Sequence, residues 1–454
     1  MPATRLPTGS TLVDMTKTLR VSHASEILSL VPYQLGFEPE NSLVLISLRG
    51  ERNKVGLIAR ANLDDVLDPG SPVIEALVDH ALRDGASSVV VAIYVECTGD
   101  FAQDSAAQAT VREVLDLTSR GTEGNLDITE AWVVTAGQHS HWIFPGVHAS
   151  STCVPAVGGV RGTTCTAHAG TTDDFRNSQI SAHMVLEGKN FARSRDQVGI
   201  IEEASPSVRK AVFDSYLRET QAARHNTTHS EFAQYRSETI ELLIAQVGLE
   251  DGCSCEGIRA KTARPPLTPK DIGRIAAGLE DLAIRDSFII LISSLGNAGA
   301  RRHIMLANAL RREALNCGTY GGEVISFEGE LVAREVLEEE VDMLARNAVG
   351  VIVDPALAMT PHECTLNAAL ELLTALLSAA PVNTHSAPRA LAALSEWWRG
   401  NSAVAHRHVA EGLKHDPNYG LLGLVRSALE NGLAPGWRRR EQILGGFATS
   451  MEAI

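Results

Sequence analysis

The sequence predicts an α/β domain followed by a mainly helical region that closes in a helical hairpin. Three observations carry that prediction. β-Branched and other apolar residues crowd into runs at 42–48 and 88–95, with a helix-period stretch between them. Beyond residue 178 such runs give way to apolar residues spaced three and four apart. Toward the C-terminal end, Gly400 and Pro417 divide and close two amphipathic stretches.

The elements follow in order. Leu19 and Val21 suggest a short opening strand, and Ser25 is placed to cap a helix over Glu26 to Val31. Pro32 should end that helix, because proline lacks an N–H and its ring meets the preceding turn. Pro32 to Ser42, with Gly36 and Pro39 inside it, then reads as a stiff turn-forming loop. Ser42 to Leu48 is a buried strand, Gly50-Glu51-Arg52-Asn53 a turn, and Lys54 to Leu63 a second strand, together an antiparallel hairpin. Ser71-Pro72 starts a helix whose face is Val73, Ile74, Leu77, Val78, Ala81 and Leu82, with Gly85 as its stop. Ser88 to Val95 follows as a strand covered on both faces, so strand, helix and strand form a parallel crossover. A second helix spans Asp104 to Ser119 and should stop before Gly121; Ile128 to Thr135 is the next strand, and His139 to Phe144 its edge hairpin partner. Residues 145–177 carry little periodicity and read as a long loop, of the kind that is functional or disordered.

From Ser178 onward, helices are expected over 178–188, 207–222, 231–247, 269–283 and 286–294, although Ser287 to Ser293 is apolar enough for a strand. Two more helices should fill 300–346 around an interruption at Tyr320-Gly321-Gly322, with short strands at Val324 to Phe327 and Val349 to Val353. Pro388 to Trp398 and Ser402 to His415 form the closing hairpin, and a further helix runs from Gly420 to Glu430. The hairpin resembles a single tetratricopeptide-type unit, with Gly400 at the turn and the small Ala405 at the helix crossing, though Gly412 stands where alanine is usual. The expected division is 1–177, 178–360 and 361–454.

Composition narrows the function classes. A chain of 454 residues with 44% apolar content can bury a sizeable core. Its net charge of −15 is the wrong sign for general nucleic-acid binding. No apolar run is long enough for a membrane span, and the first residues lack signal-peptide features, so a cytoplasmic location is expected. Seven scattered cysteines fit reduced thiols better than a disulfide framework. His139, His141, His148, Cys153, Cys165 and His168 supply ligand-type side chains without the regular pair spacing of a zinc site; Cys253-Ser254-Cys255 is a close pair in a Gly-containing loop, more often structural than redox or metal-binding, and no metal and no cofactor is predicted.

Standard catalytic motifs are missing. There is no phosphate loop, no dinucleotide glycine fingerprint and no nucleophile elbow. His362-Glu363 begins like a metalloprotease helix, but Leu366 stands where the second histidine is needed. The ligand-binding candidates are Tyr33 and Asn41 on the opening loop, Arg60 on the neighbouring strand, and Arg195. Arg195-Asp196 and Arg285-Asp286 each place opposite charges side by side; neighbours on a helix diverge, so each should reach a different partner. Trp397, Trp398 and Trp437 are the candidates for a domain or subunit contact.

Several of these segments together resemble domain-of-unknown-function family 4192, an uncharacterised family found mainly in actinobacteria. The resemblance rests on Val31-Pro32-Tyr33, Leu35-Gly36-Phe37, Pro39, Ser42-Leu43-Val44, Ala59-Arg60 and Leu63. It continues at Glu187-Gly188, Ser194-Arg195, Leu282-Ala283-Ile284-Arg285-Asp286, Trp398-Arg399-Gly400-Asn401, Asp416-Pro417 and Leu433-Ala434-Pro435. Cys153-Val154-Pro155 departs from the family's Cys-Cys-Pro, and residues 300–358 look like added length. The resemblance implies no substrate or catalytic residue. The leading expectation is a cytoplasmic protein-interaction or scaffold protein, with a protein partner or self-association. The alternative is a small-molecule or nucleotide-binding enzyme whose pocket lies by the 32–42 loop, Arg60 and the 145–177 loop, since open α/β sheets take ligands at strand ends.

Overall fold

The computed structural model describes residues 24–50, 53–97, 99–143, 163–186, 190–225, 228–248, 264–316 and 324–440. Leu19, Val21, His148, Cys153, the Cys253–Cys255 pair and Tyr320-Gly321-Gly322 lie outside them.

The first helix, α1 (Ala24–Leu35), corrects the expected stop: it runs through Pro32. An interior proline costs about 3 kcal/mol of helix stability. Against that cost, Ile27, Leu28 and Val31 are buried on the sheet, and Gly36 supplies the stop instead. Its N–H donates to the Pro32 carbonyl at 2.8 Å, and its φ of 81° turns the chain out of the helix.

β1 (Ser42–Arg49) and β2 (Lys54–Asn62) form the antiparallel hairpin, with Val44 opposite Arg60. A short α2 (Leu63–Leu67) leads to α3 (Val73–Arg83) and β3 (Ala86–Tyr94). β2 and β3 run the same way but lie on either side of β1, so α3 crosses over a strand rather than joining neighbours. α4 (Ser105–Thr122) makes the direct crossover to β4 (Asp127–Val134), which pairs in parallel with β3. Helix α4 passes through Gly121 instead of stopping before it. A Cβ there would collide with Ile74, so this glycine lets α4 approach α3, and Gly124 at φ 77° does the terminating.

β5 (Gln138–Ile143) is an interior strand, not the expected edge, because β6 (Thr163–Thr171) pairs outside it. The second half of the expected 145–177 loop is therefore ordered structure: β6, then α5 (Asp173–Arg176). Polar threonines and small residues fill β6, which left no apolar alternation to read. The sheet order is β2-β1-β3-β4-β5-β6. Its two faces alternate along β3. Val89, Val91 and Ile93 pack under α3 and α4, while Val90, Ala92 and Tyr94 pack against α1, Trp132 and Val134. This two-sided burial is the physical reason for the continuous apolar run.

α6 (Gln179–Leu186) lies beside α1, and the described residues beyond it are mainly helical. α7 (Pro206–His225), α8 (His229–Val247), α9 (Pro269–Gly278), α10 (Leu282–Ile292) and α11 (Gly296–Asn316) come first. The apolar stretch Ser287 to Ser293 belongs to the helix α10, which starts where Asp281 caps Ala283 N–H at 2.9 Å. After the hairpin β7 (Val324–Phe327) and β8 (Glu330–Ala333), α12 (Arg334–Val353) takes up Val349 to Val353 as its last turns, where a short strand was expected. Short apolar runs do not distinguish helix from strand; neighbours decide.

α13 (Glu363–Ala379), α14 (Ser386–Arg399), α15 (Ser402–His415) and α16 (Gly420–Glu430) complete the chain, with Gly400 at φ 92° turning α14 into α15. Helix α14 is buried around its whole circumference. Trp397 and Trp398 are consequently both inside. Trp397 Nε1 donates to the Leu433 carbonyl at 2.9 Å, Trp398 Nε1 to Met359 at 3.2 Å, and Trp437 Nε1 to Trp398 at 2.8 Å. These three indoles bond to backbone carbonyls within the chain.

Candidate functional site

The sheet's carboxyl edge is formed by the ends of β3 and β4, the start of β1 and the exit of β6. Residues 94–96 and 134–136 leave β3 and β4 there, and residues 38–41 enter β1 beside them. α1, α5 and α6 overhang this edge. Between them lies a cleft of about 430 Å³. Its position, at the ends of two adjacent parallel strands, is where open α/β sheets leave room for a ligand.

Three kinds of group line it. Tyr33, Phe175 and Phe191 supply aromatic walls, and the Tyr33 and Phe191 rings meet edge to face at 4.8 Å. Glu38, Glu40, Glu96 and Arg176 supply charge. Arg176 is held by Glu38 at 3.2 Å and by Asp173 at 3.7 Å. Ser29 and Tyr94 supply hydroxyls, and both Ser29 Oγ and Tyr94 Oη are buried without a hydrogen-bond partner among the described residues. Burial, and then the Glu38 charge, pushes the Tyr94 phenol up, so it stays protonated. A buried hydroxyl without a partner is costly to the fold alone, and such groups call for a functional account.

Behind the Phe175 wall, His139 stacks on that ring with centroids 4.5 Å apart. Burial pushes the imidazole down, against the opposing pull of Asp174 and the Thr171 carbonyl, which lies 3.2 Å from Nδ1. His139 therefore braces the wall as a neutral ring.

The sequence candidates separate cleanly. Tyr33 and Asn41 line the cleft. Asn41 is left-handed at φ 44°, and its carbonyl accepts from Leu63 N–H at 2.9 Å, pinning the loop to the hairpin. Arg60 is not in the lining. Its Nε donates to Ser42 Oγ at 2.8 Å, and Ser42 Oγ donates to the Glu40 carbonyl at 2.5 Å. Its guanidinium lies 5.8 Å over Phe37. Burial, then the neighbouring Arg195, pulls the Arg60 pKa down. Among the described residues Arg60 makes no ion pair; it shapes the loop from behind. Arg195 is exposed, on a short turn beside α15, and does not reach the cleft.

Thr172, Phe175 and Arg176 come from the stretch read as a long loop, and Ser29, Tyr94, Glu96 and Phe191 were not singled out. The available signal was positional: Tyr94-Val95-Glu96 and Val134-Thr135-Ala136 directly follow the two parallel strands.

A second cavity, about 510 Å³, lies among α10, α12 and α16. Its Arg285 forks onto Asp286 at 2.9 and 2.7 Å, so these two chain neighbours pair with each other after all; the long side chain curls back to reach. Among the described residues no three His, Cys, Asp or Glu side chains gather as a metal site would require. No described helix is long and apolar enough to cross a membrane.

Residues 25–314 and 344–436 match the family model described as Domain of unknown function (DUF4192). The chain belongs to that family. The match breaks between 314 and 344, a stretch that holds the β7–β8 hairpin and the first part of α12. No curated protein and no solved structure matches the chain.

Proposed function

We propose that this protein binds a small organic molecule in the cleft at the carboxyl edge of its sheet. The observation that carries the reading is the pair of buried, unpartnered hydroxyls, Ser29 Oγ and Tyr94 Oη, in the wall of a cleft that aromatic rings partly enclose. A ligand hydrogen-bonding to them would satisfy groups the fold leaves open. The lining contains no histidine, cysteine or lysine, and Ser29 Oγ and Tyr94 Oη have no side-chain partner among the described residues that would activate either as a nucleophile. Binding, rather than a turnover step, is what these residues support. The interaction or scaffold reading draws less support, since Trp397, Trp398 and Trp437 make contacts inside the chain. Cys97 and Cys364 are not joined in disulfides, which suits a reducing, cytoplasmic setting.

The test is a thermal-shift screen of small metabolites on the full chain, repeated with Ala136→Trp. Ala136 is exposed on the turn after β4 and lines the cleft, so an indole there fills the mouth without disturbing the core. A true ligand at 100 times its Kd stabilises the wild type by about 2.7 kcal/mol and leaves A136W unmoved. Stabilisation of both proteins alike, or of neither by any compound class, refutes the site.

A further inference from the structure

We infer that the cleft selects an organic cation: a compact apolar or aromatic body that carries an ammonium or similar positively charged nitrogen. The inference rests on the cleft being a binding site and adds the charge of its occupant.

The argument starts from the charges in the wall. Three carboxylates line the cleft, Glu38, Glu40 and Glu96, against one cation, Arg176. That cation is already shared by Glu38 at 3.2 Å and Asp173 at 3.7 Å. Glu40 and Glu96 make no ion pair among the described residues. Arg60, behind this loop, is turned onto Ser42 and Phe37, and neither it nor the neighbouring Arg195 is in the lining. A phosphate or carboxylate entering here would meet unpaired negative charge and no free cation to receive it. A positively charged nitrogen meets the reverse.

The uncharged part of the wall points the same way. Tyr33, Phe175 and Phe191 put three aromatic rings in the wall, and the negative quadrupole of a ring face attracts cations. The buried hydroxyl oxygens of Ser29 and Tyr94 carry lone pairs that accept from an N–H. Unpaired carboxylates, aromatic rings and hydroxyl acceptors form a coherent set for an organic cation. The chain's net charge of −15 favours approach of the same ligand.

The experiment uses matched probes that differ only in charge. Benzyl, phenylethyl and indolylethyl compounds, each as the ammonium, the alcohol and the carboxylate, are titrated into the full chain by calorimetry at low and high salt. The ammonium of the best-fitting ring should bind roughly tenfold tighter than its alcohol, and the carboxylate weakest, with the gap shrinking in salt. The double variant Glu40→Gln/Glu96→Gln changes two exposed side chains, so folding is not at issue. It should cut the ammonium's affinity about fivefold more than the alcohol's. Carboxylates binding as tightly as ammoniums, in a manner blocked by A136W, overturn the charge assignment and leave the cleft standing. Absence of binding by all three series at millimolar concentration overturns the cleft as well.

Discussion

Tyr94→Phe removes a single oxygen and should move two properties in opposite directions. In the wild type the ring is buried among Val90, Ala92, Trp132 and Val134, while Oη has no partner among the described residues. Leaving a buried donor unpaired costs about 1–3 kcal/mol, and deleting it recovers that cost with the ring's packing intact. Allowing for the small gap left behind, Y94F should be more stable than the wild type by about 1 kcal/mol. Trp132 lies in the same core cluster as Tyr94, so its fluorescence reports unfolding of this sheet in urea directly. The same variant should weaken the ligand by about 0.5–1.5 kcal/mol, roughly two- to tenfold in Kd, because the ligand loses its hydrogen bond. Ser29→Ala is the parallel change on α1 and should also be neutral or stabilising, since alanine favours the helix by a few tenths of a kcal/mol. A loss of more than about 1 kcal/mol in Y94F would mean that the hydroxyl is bonded within the fold, and the argument that it waits for a ligand would fail.

The remaining predictions concern charge and packing. Buried Asp84 accepts from Ser47 Oγ at 2.5 Å, Arg49 Nε at 2.8 Å and Leu57 N–H at 2.7 Å, so D84A should cost about 3 kcal/mol in urea unfolding. Gly56 lies against this knot, where a Cβ would overlap the Asp84 carboxylate; G56A should cost about 1–3 kcal/mol by the same measurement. His408 is pulled down to about 3 by burial and by Arg389 and Arg407, from an ordinary 6.5. The unfolded chain therefore takes up a proton that the folded chain refuses, and stability falls as pH drops from 6.5 toward 3. H408Q should flatten that loss by about 1.4 kcal/mol per pH unit in unfolding titrations at pH 4–6. Glu396 is the opposite case: burial pushes its carboxyl above the ordinary 4.5, and Oε2 has no partner among the described residues. Its contribution is fully present below pH 4.5 and is lost as pH rises through the raised value, so E396Q should gain stability over the wild type at pH 7 but not at pH 4.

What could be read locally was read well. The β1–β2 hairpin, β3, β4 and the α14–α15 hairpin depend on apolar period and on punctuation by neighbouring residues, such as Gly400 at φ 92°. The helix start at Asp104 was legible too, because that side chain caps Ala107 N–H only three residues on. Misreadings fell where a distant partner outweighs local preference. Pro32 stays helical because α1 is held down by the sheet, and the 287–293 stretch is helix because α10 is packed among other helices. The burial of Trp397 and Trp398 is likewise set by distant neighbours, since helices and the 433–437 segment surround α14.

The sequence by itself determined the family, the strands β1 to β5 with the helices α3 and α4, and the closing α14–α15 hairpin, because period, caps and turns are properties of short stretches. Tertiary structure alone decided that β6 closes the sheet, that Arg60 faces away from the cleft, and that Ser29, Tyr94, Glu96, Phe175 and Phe191 share one wall system. Residues so far apart along the chain meet only because strand pairing and helix packing bring them together, and no local pattern encodes which strand lies beside which.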